Sequence, residues 1–211
     1  MKLHGYFRSA ASYRVRIAMN LKSLTAEQHF HHLRKGEQRA PDYLKLNPQG
    51  LVPTLETDHD CIITQSLAII EWLNETHPEP PLLPKNPTPR ARVRAFAMVL
   101  ACDTHPVQNL GVLNRLRASK LPEEVVTQWA ADINEQGLDA CERLILTERG
   151  PFCFGAAPTI ADICLVPQLY NARRFKVDVS KFRRLLEAEA ACLALPAFKD
   201  AAPEQQPDFE P

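Results

Sequence analysis

A chain of 211 residues, 45% hydrophobic and 24% charged, is long enough for one large or two modest domains with a real core. Twenty-five basic residues balance twenty-five acidic ones, so no net field draws it to nucleic acid or to an anionic membrane. It reaches a charged strand within its first eight residues and holds no apolar run of membrane-span length, which argues against a signal peptide or a transmembrane helix and makes the cytoplasm the expected location.

In chain order, Lys2 to Phe7 is a weakly alternating run that reads as a strand, and Tyr13, Ile17, Ala18 and Leu21 recur behind it at helical spacing. Arg8 to Met19 (RSAASYRVRIAM) is therefore a strand-to-helix junction opening an amphipathic helix. The first turn of a helix offers unpaired N–H donors and a partial positive charge, which suit an anion or a thiolate. Ser12 is placed as the N-cap and Ser9 as the hydroxyl that faces sulfur. The turn has no cysteine, so any sulfur used there has to be brought in.

Thr25 to Leu33 reads as a second strand, with His29, His31 and His32 a polar edge; the spacing supplies no fourth partner for a metal. Tyr43 to Leu46 forms a helical turn that stops before Pro48. The turn-rich segment Asn47-Pro-Gln-Gly-Leu-Val-Pro53 leads into a strand, Thr54 to Thr57, with Cys61 to Thr64 as its hairpin partner. Pro53 heads that strand, where a proline costs the ladder least. Ser66 is placed as N-cap of an amphipathic helix carrying Leu67, Ile70 and Leu73. The order fits a small sheet covered by helices.

Six prolines between His77 and Pro89 interrupt any regular element, and the expected organisation is an α/β domain at 1–80, a linker at 81–89 and an all-helical domain at 90–211. The helical part reads as one long helix from Arg90 to Ser119 kinked at Pro106, a second from Glu123 to about Thr147, a third from Ile160 to Arg173 opened by a Thr159/Asp162 capping box, and a last from about Lys181 to Leu193. The tail from Ala202 to Pro211 is expected to be partly ordered at best. Six scattered cysteines without a C-x-x-C pair read as reduced, mostly buried thiols, and no metal is expected.

These segments resemble the zeta class of the cytosolic glutathione transferases, the maleylacetoacetate isomerase family, over almost the whole chain. The turn Tyr6-Phe-Arg-Ser-Ala-Ala-Ser12 followed by Arg14-Val-Arg-Ile-Ala-Met is similar to the class signature, although the class writes S-S-C-S where this chain has S-A-A-S. Asn47-Pro-Gln-Gly-Leu-Val-Pro-Thr-Leu, Gln65-Ser66, His105-Pro-Val-Gln-Asn-Leu, Leu165 to Asp178 and Gln206-Pro-Asp208 match further family segments. The resemblance implies a thioredoxin-like N-terminal domain, a helical C-terminal domain, a homodimer and glutathione as cofactor. It implies that Gln65 and Ser66 hold the γ-glutamyl end, Val52 the glutathione backbone beside a cis Pro53, and Gln49 the glycyl end, with Gln108 and Asn109 reaching in from the kinked helix. Ser9 is the expected hydrogen-bond donor to the thiolate. Arg8 and Arg174 are the candidates for the carboxylates of a keto-diacid, since a guanidinium fork matches a carboxylate, and His105 is a candidate donor near sulfur.

The implied reaction is a cis-trans isomerisation in which thiolate addition turns a locked double bond into a rotatable single bond, the general logic of nucleophilic catalysis. Maleylacetoacetate, an intermediate of tyrosine and phenylalanine breakdown, is the first candidate substrate and maleylpyruvate, of the gentisate route, the second. The absence of an arginine from Gln108-Asn109-Leu110-Gly111 leans to the larger. Haloacid dehalogenation and general glutathione transfer are possible side activities for the class, and a scaffold that binds glutathione without turnover is the alternative from outside enzymology.

Overall fold

The computed structural model describes residues 1–210. They divide into two compact units, Met1–Pro81 with Ala194–Pro211, and Leu82–Leu193. The first unit holds strands β1 (Lys2–Gly5), β2 (Glu27–Phe30), β3 (Thr54–Glu56) and β4 (Ile62–Thr64), in the order β2-β1-β3-β4. β1 and β2 run parallel, with Leu3 opposite Gln28; β1–β3 and β3–β4 are antiparallel, with Leu55 opposite Leu3 and Ile63. A parallel pair needs a crossover, and α1 (Ala10–Leu21) supplies it. α2 (Pro41–Leu46) and α3 (Ser66–Thr76) complete the α/β part.

Helix α1 differs from the amphipathic element that the spacing predicts. From Ser12 to Met19 every residue is buried, Arg14 and Arg16 included. The reason is the tail: a short helix, α9 (Pro196–Lys199), packs on α1, Tyr13 Oη donates to the Phe198 carbonyl at 3.4 Å, and Asn20 Nδ2 to the Ala197 carbonyl at 3.0 Å. The tail thus belongs to the first unit and is ordered through residue 210, where a frayed end of the helical domain was expected. Lys22 closes the other end, its Nζ donating to Asn74 Oδ1 (3.1 Å) and to the carbonyls of His77 (2.6 Å) and Pro80 (2.7 Å).

The second unit is helical: α4 (Pro87–Met98), α5 (Leu110–Ala118), α6 (Glu123–Ile145), α7 (Ile160–Arg174) and α8 (Arg183–Leu193). α4 starts inside the expected linker, because Asn86 caps it through Thr88 N–H and Pro87 sits at the first helical position, where a missing N–H costs nothing. α7 is the central element, buried from Ile160 to Leu169 and packed against α4, α6 and α8. Its capping box forms as the spacing predicts, and Asp162 also accepts Cys153 N–H at 2.8 Å, so burial raises its carboxyl pKa while these donors oppose the rise.

The long helix expected over 90–119 is broken. After Met98 the backbone widens into a π-helical segment, Val99–Thr104, continues through a turn, and restarts as α5 behind Asn109. Pro106 cannot donate to an i−4 carbonyl, and the wider hydrogen-bonding before it, such as His105 N–H to Leu100 O at 2.9 Å, absorbs the break. Gly137 of α6 faces this segment; a methyl there would overlap the Thr104 hydroxyl.

Candidate functional site

The loop Tyr6–Ser9 links β1 to α1. Ser9, not Ser12, is the N-cap: its Oγ accepts Ser12 N–H at 3.2 Å, its N–H donates to Tyr6 O at 3.0 Å, and its carbonyl takes Tyr13 N–H at 2.8 Å. Ser12 lies wholly inside, its hydroxyl without a hydrogen-bond partner among the described residues. The Ser9 hydroxyl accepts one hydrogen bond and keeps its own proton to give. That is what a donor to a thiolate would need, and it is compatible with the capping role. Arg8 lies on the loop with its guanidinium 5.7 Å from the centroid of the Phe7 ring.

A second helix start lies at Gln65. Ser66 is the first helical residue and not the cap; Gln65 holds the cap position with φ +70, and no side chain caps the helix. The first-turn N–H groups of α3 are therefore left for another acceptor, and a carboxylate suits them. Gln65 Nε2 donates to Gln49 Oε1 at 2.8 Å, so two residues that the resemblance assigns to opposite ends of glutathione meet through their side chains. Ser66 Oγ accepts Arg14 Nη1 at 3.4 Å, which turns the serine proton away from the protein's own donor. Arg14 was part of the quoted signature, but a charge on a buried helix face gives no sign in the sequence of which hydroxyl it meets.

Between them, the Val52–Pro53 peptide is cis and Val52 is buried. The loop before it is pinned at Leu51, whose carbonyl accepts both Tyr43 Oη (2.6 Å) and Asn47 Nδ2 (2.7 Å). Since the Tyr43 proton is spent there, Thr54 donates to Tyr43 Oη at 2.8 Å. Asn47 Oδ1 also accepts Gln49 N–H at 3.1 Å, and Gly50, at φ +62, packs where a side chain would press on Gln38 O and Leu44. Tyr43 was read only as part of a helical turn; its role depends on a contact eight residues away that no local pattern announces.

Four candidates lie in the second unit. His105 and Gln108 sit in the turn between the π segment and α5, with Gln108 buried; Trp129 Nε1 holds the turn by donating to Val107 O at 3.0 Å. Asn109 is the N-cap of α5, its Oδ1 accepting Leu110 N–H at 2.7 Å, so its amide NH2 is what it has to offer a ligand. Of the two arginines ending α7, Arg173 pairs in fork fashion with Glu189 at 2.5 Å, whereas Arg174 is exposed, donates to Asn171 Oδ1 at 2.8 Å and lies over Phe175. Among the described residues no cluster of three His, Cys, Asp or Glu is arranged for a metal; His29 and His31 instead stack on His4 at 5.0 and 5.2 Å.

Residues 8–76 match the family model for the glutathione S-transferase N-terminal domain and residues 123–195 that for its C-terminal domain. The chain is 47% identical over 210 residues to maleylacetoacetate isomerase of Pseudomonas aeruginosa, covering 99% of this chain and 98% of that one. The chain belongs to the zeta class of the glutathione transferases. It is also 44% identical to maleylpyruvate isomerase of a Ralstonia species over 211 residues, covering 99% of each. A solved structure of maleylacetoacetate isomerase from Methylobacterium extorquens, with bound malonate and glutathione, superposes with a TM-score of 0.96 at 39% identity and covers the whole of both chains. Class membership places the strand-to-helix turn and the cis-proline loop, described above from their own geometry, in the thioredoxin-like half of the family fold.

Proposed function

We propose that this protein is a glutathione-dependent cis-trans isomerase acting on maleylacetoacetate. The observation that carries the reading is Ser9, a cap hydroxyl with its proton still to donate, at a helix start next to Arg8 in a turn without cysteine. The bound malonate and glutathione of the Methylobacterium extorquens relative support a thiol cofactor beside a small dicarboxylate. Bound glutathione supplies the thiolate that adds to the activated double bond and leaves after rotation. The α3 start, with Gln65 and Ser66, takes the γ-glutamyl carboxylate; Val52 bonds the peptide, and Gln49 the glycyl end. Gln108 and Asn109 add polar contacts.

Ser9 donates to the sulfur and holds its negative charge. That help has a ceiling: near pH 7.5 a free thiol is already about a tenth ionised, so full ionisation is worth only about tenfold, or ~1.4 kcal/mol. The rest comes from orientation and charge stabilisation, where holding the reactants together supplies on the order of 7–11 kcal/mol. Arg8 and Arg174 grip the substrate's carboxylates and His105 serves as donor near the sulfur.

Full-length likeness to the Ralstonia maleylpyruvate isomerase favours the shorter keto-diacid as the second reading. Family practice supports a homodimer, checked by sedimentation, and a cytoplasmic location. The test of the donor role is ultraviolet difference absorbance of glutathione mixed with wild type and with Ser9→Ala: a thiolate band near neutral pH in the first and not the second supports it, and equal bands contradict it.

A further inference from the structure

The peptide units just before Arg8 and Ser9 are held from outside the α/β part. Phe7 N–H donates to Asp208 Oδ2 at 2.8 Å, and the Phe7 carbonyl accepts Arg16 Nη2 at 2.9 Å, so both faces of one residue's backbone are clamped. The same guanidinium donates from Nη1 to Tyr6 O at 3.4 Å and from Nε to Ala201 O at 3.0 Å. One buried arginine thus joins the loop to the base of the tail. Burial pushes its pKa down to about 10, with the Asp208 carboxylate working against that fall. The tail continues its grip beyond Asp208. The Phe209 ring meets Phe7 edge-on at 5.5 Å, with the Arg8 guanidinium lying over that same Phe7 ring, and Glu210 reaches His32 Nε2 at 3.0 Å.

We infer that Asp208 is a positioning residue: through Phe7 N–H it fixes the backbone from which Arg8 and Ser9 project, and the C-terminal strap of residues 206–210 is part of the isomerase site's support. This rests on the proposed reaction for its kinetic consequence and not for its structural one. Arg16 holds the loop through its carbonyls, whereas Asp208 takes the Phe7 N–H, and a carboxylate acceptor makes that a charge-assisted, stronger hydrogen bond. A reacting group displaced by 1 Å can lose on the order of 100-fold in rate. Glutathione, held mainly by the 49–66 segment, should feel the strap far less than the substrate gripped by Arg8.

The experiment compares Asp208→Ala, Asp208→Asn and Phe209→Ala with wild type by amide hydrogen exchange, calorimetric glutathione binding, and kcat and KM for maleylacetoacetate and maleylpyruvate. Asp208→Asn keeps an acceptor for Phe7 N–H and serves as the conservative rescue. Expected for Asp208→Ala are at least about tenfold faster exchange confined to residues 6–9, glutathione affinity within about threefold of wild type, and kcat/KM down by roughly 10- to 100-fold, with Asp208→Asn recovering most of it. Unchanged exchange at Phe7, or faster exchange there with unchanged kcat/KM, overturns the proposal, as does faster exchange spread evenly over the first unit, which would make Asp208 a general stabiliser. Wild-type turnover, measured first, reports on the reaction itself; if it is absent for both keto-acids, the reaction reading fails and the strap is judged on local exchange, which needs no turnover.

Discussion

A hydroxyl that already accepts a backbone N–H has its proton left to give, and Ser9 combines the two uses. Ser9→Ala should therefore cost twice: about 1 kcal/mol of stability from the lost cap, read in a denaturant titration, and up to about tenfold in kcat/KM at pH 7.5, shrinking as the pH rises and glutathione ionises unaided. An activity loss independent of pH would contradict the ionisation role. For Arg8→Ala, losing a charged hydrogen bond of about 1.5–3 kcal/mol should lower kcat/KM by roughly 10- to 100-fold, with glutathione affinity nearly unchanged. At His31, burial and then the neighbouring His4 lower the pKa below 6.5, so the fold favours the neutral ring. The unfolded chain takes up that proton first; stability from this residue is present above pH 6.5 and falls as the pH drops below it. His31→Gln should flatten the loss of stability between pH 7 and 5.5, and an unchanged slope would contradict it. At this scale the sequence was partly legible. Residue type marked the serine-bearing turn as a helix start, and the resemblance alone pointed to Gln49 and Gln65, but the expected cap is Ser12 and not Ser9, because cap geometry turns on one residue's ψ and two serines stand three apart.

Elements were legible where their signals were local. The start of α4 at Asn86 and Pro87 reads as linker, while the Thr159/Asp162 box and the β3–β4 hairpin follow from side chains within a few residues. The break between α4 and α5 did not, since a proline in an apolar-periodic run permits a kink, a π segment or a restart, and packing chooses. Gly137 is part of that choice. In an open helix, Gly→Ala gains about 1 kcal/mol, but here the added methyl meets Thr104, and overpacking costs about 1–3 kcal/mol. Gly137→Ala should lower the melting temperature, and less so in a Thr104→Ala background; a higher melting temperature in the single variant would contradict the packing account.

For the whole molecule, composition and the proline cluster point to an α/β part followed by a helical part, yet not to the return of the tail to the first unit. A segment with three prolines in ten residues reads as frayed because the contacts of Asp208, Phe209 and Glu210 that tie it down reach back to Phe7 and His32; Asp208 and Phe7 have nothing local to announce them. Function at this scale rests on glutathione acting as a catalyst that is returned unchanged. The most direct test follows maleylacetoacetate and maleylpyruvate side by side by absorbance, with and without glutathione, while titrating free thiol. The account predicts many turnovers per glutathione with no thiol lost, the faster rate on maleylacetoacetate, and none above the uncatalysed rate without glutathione. Turnover without added glutathione, or one thiol consumed per product, would contradict it.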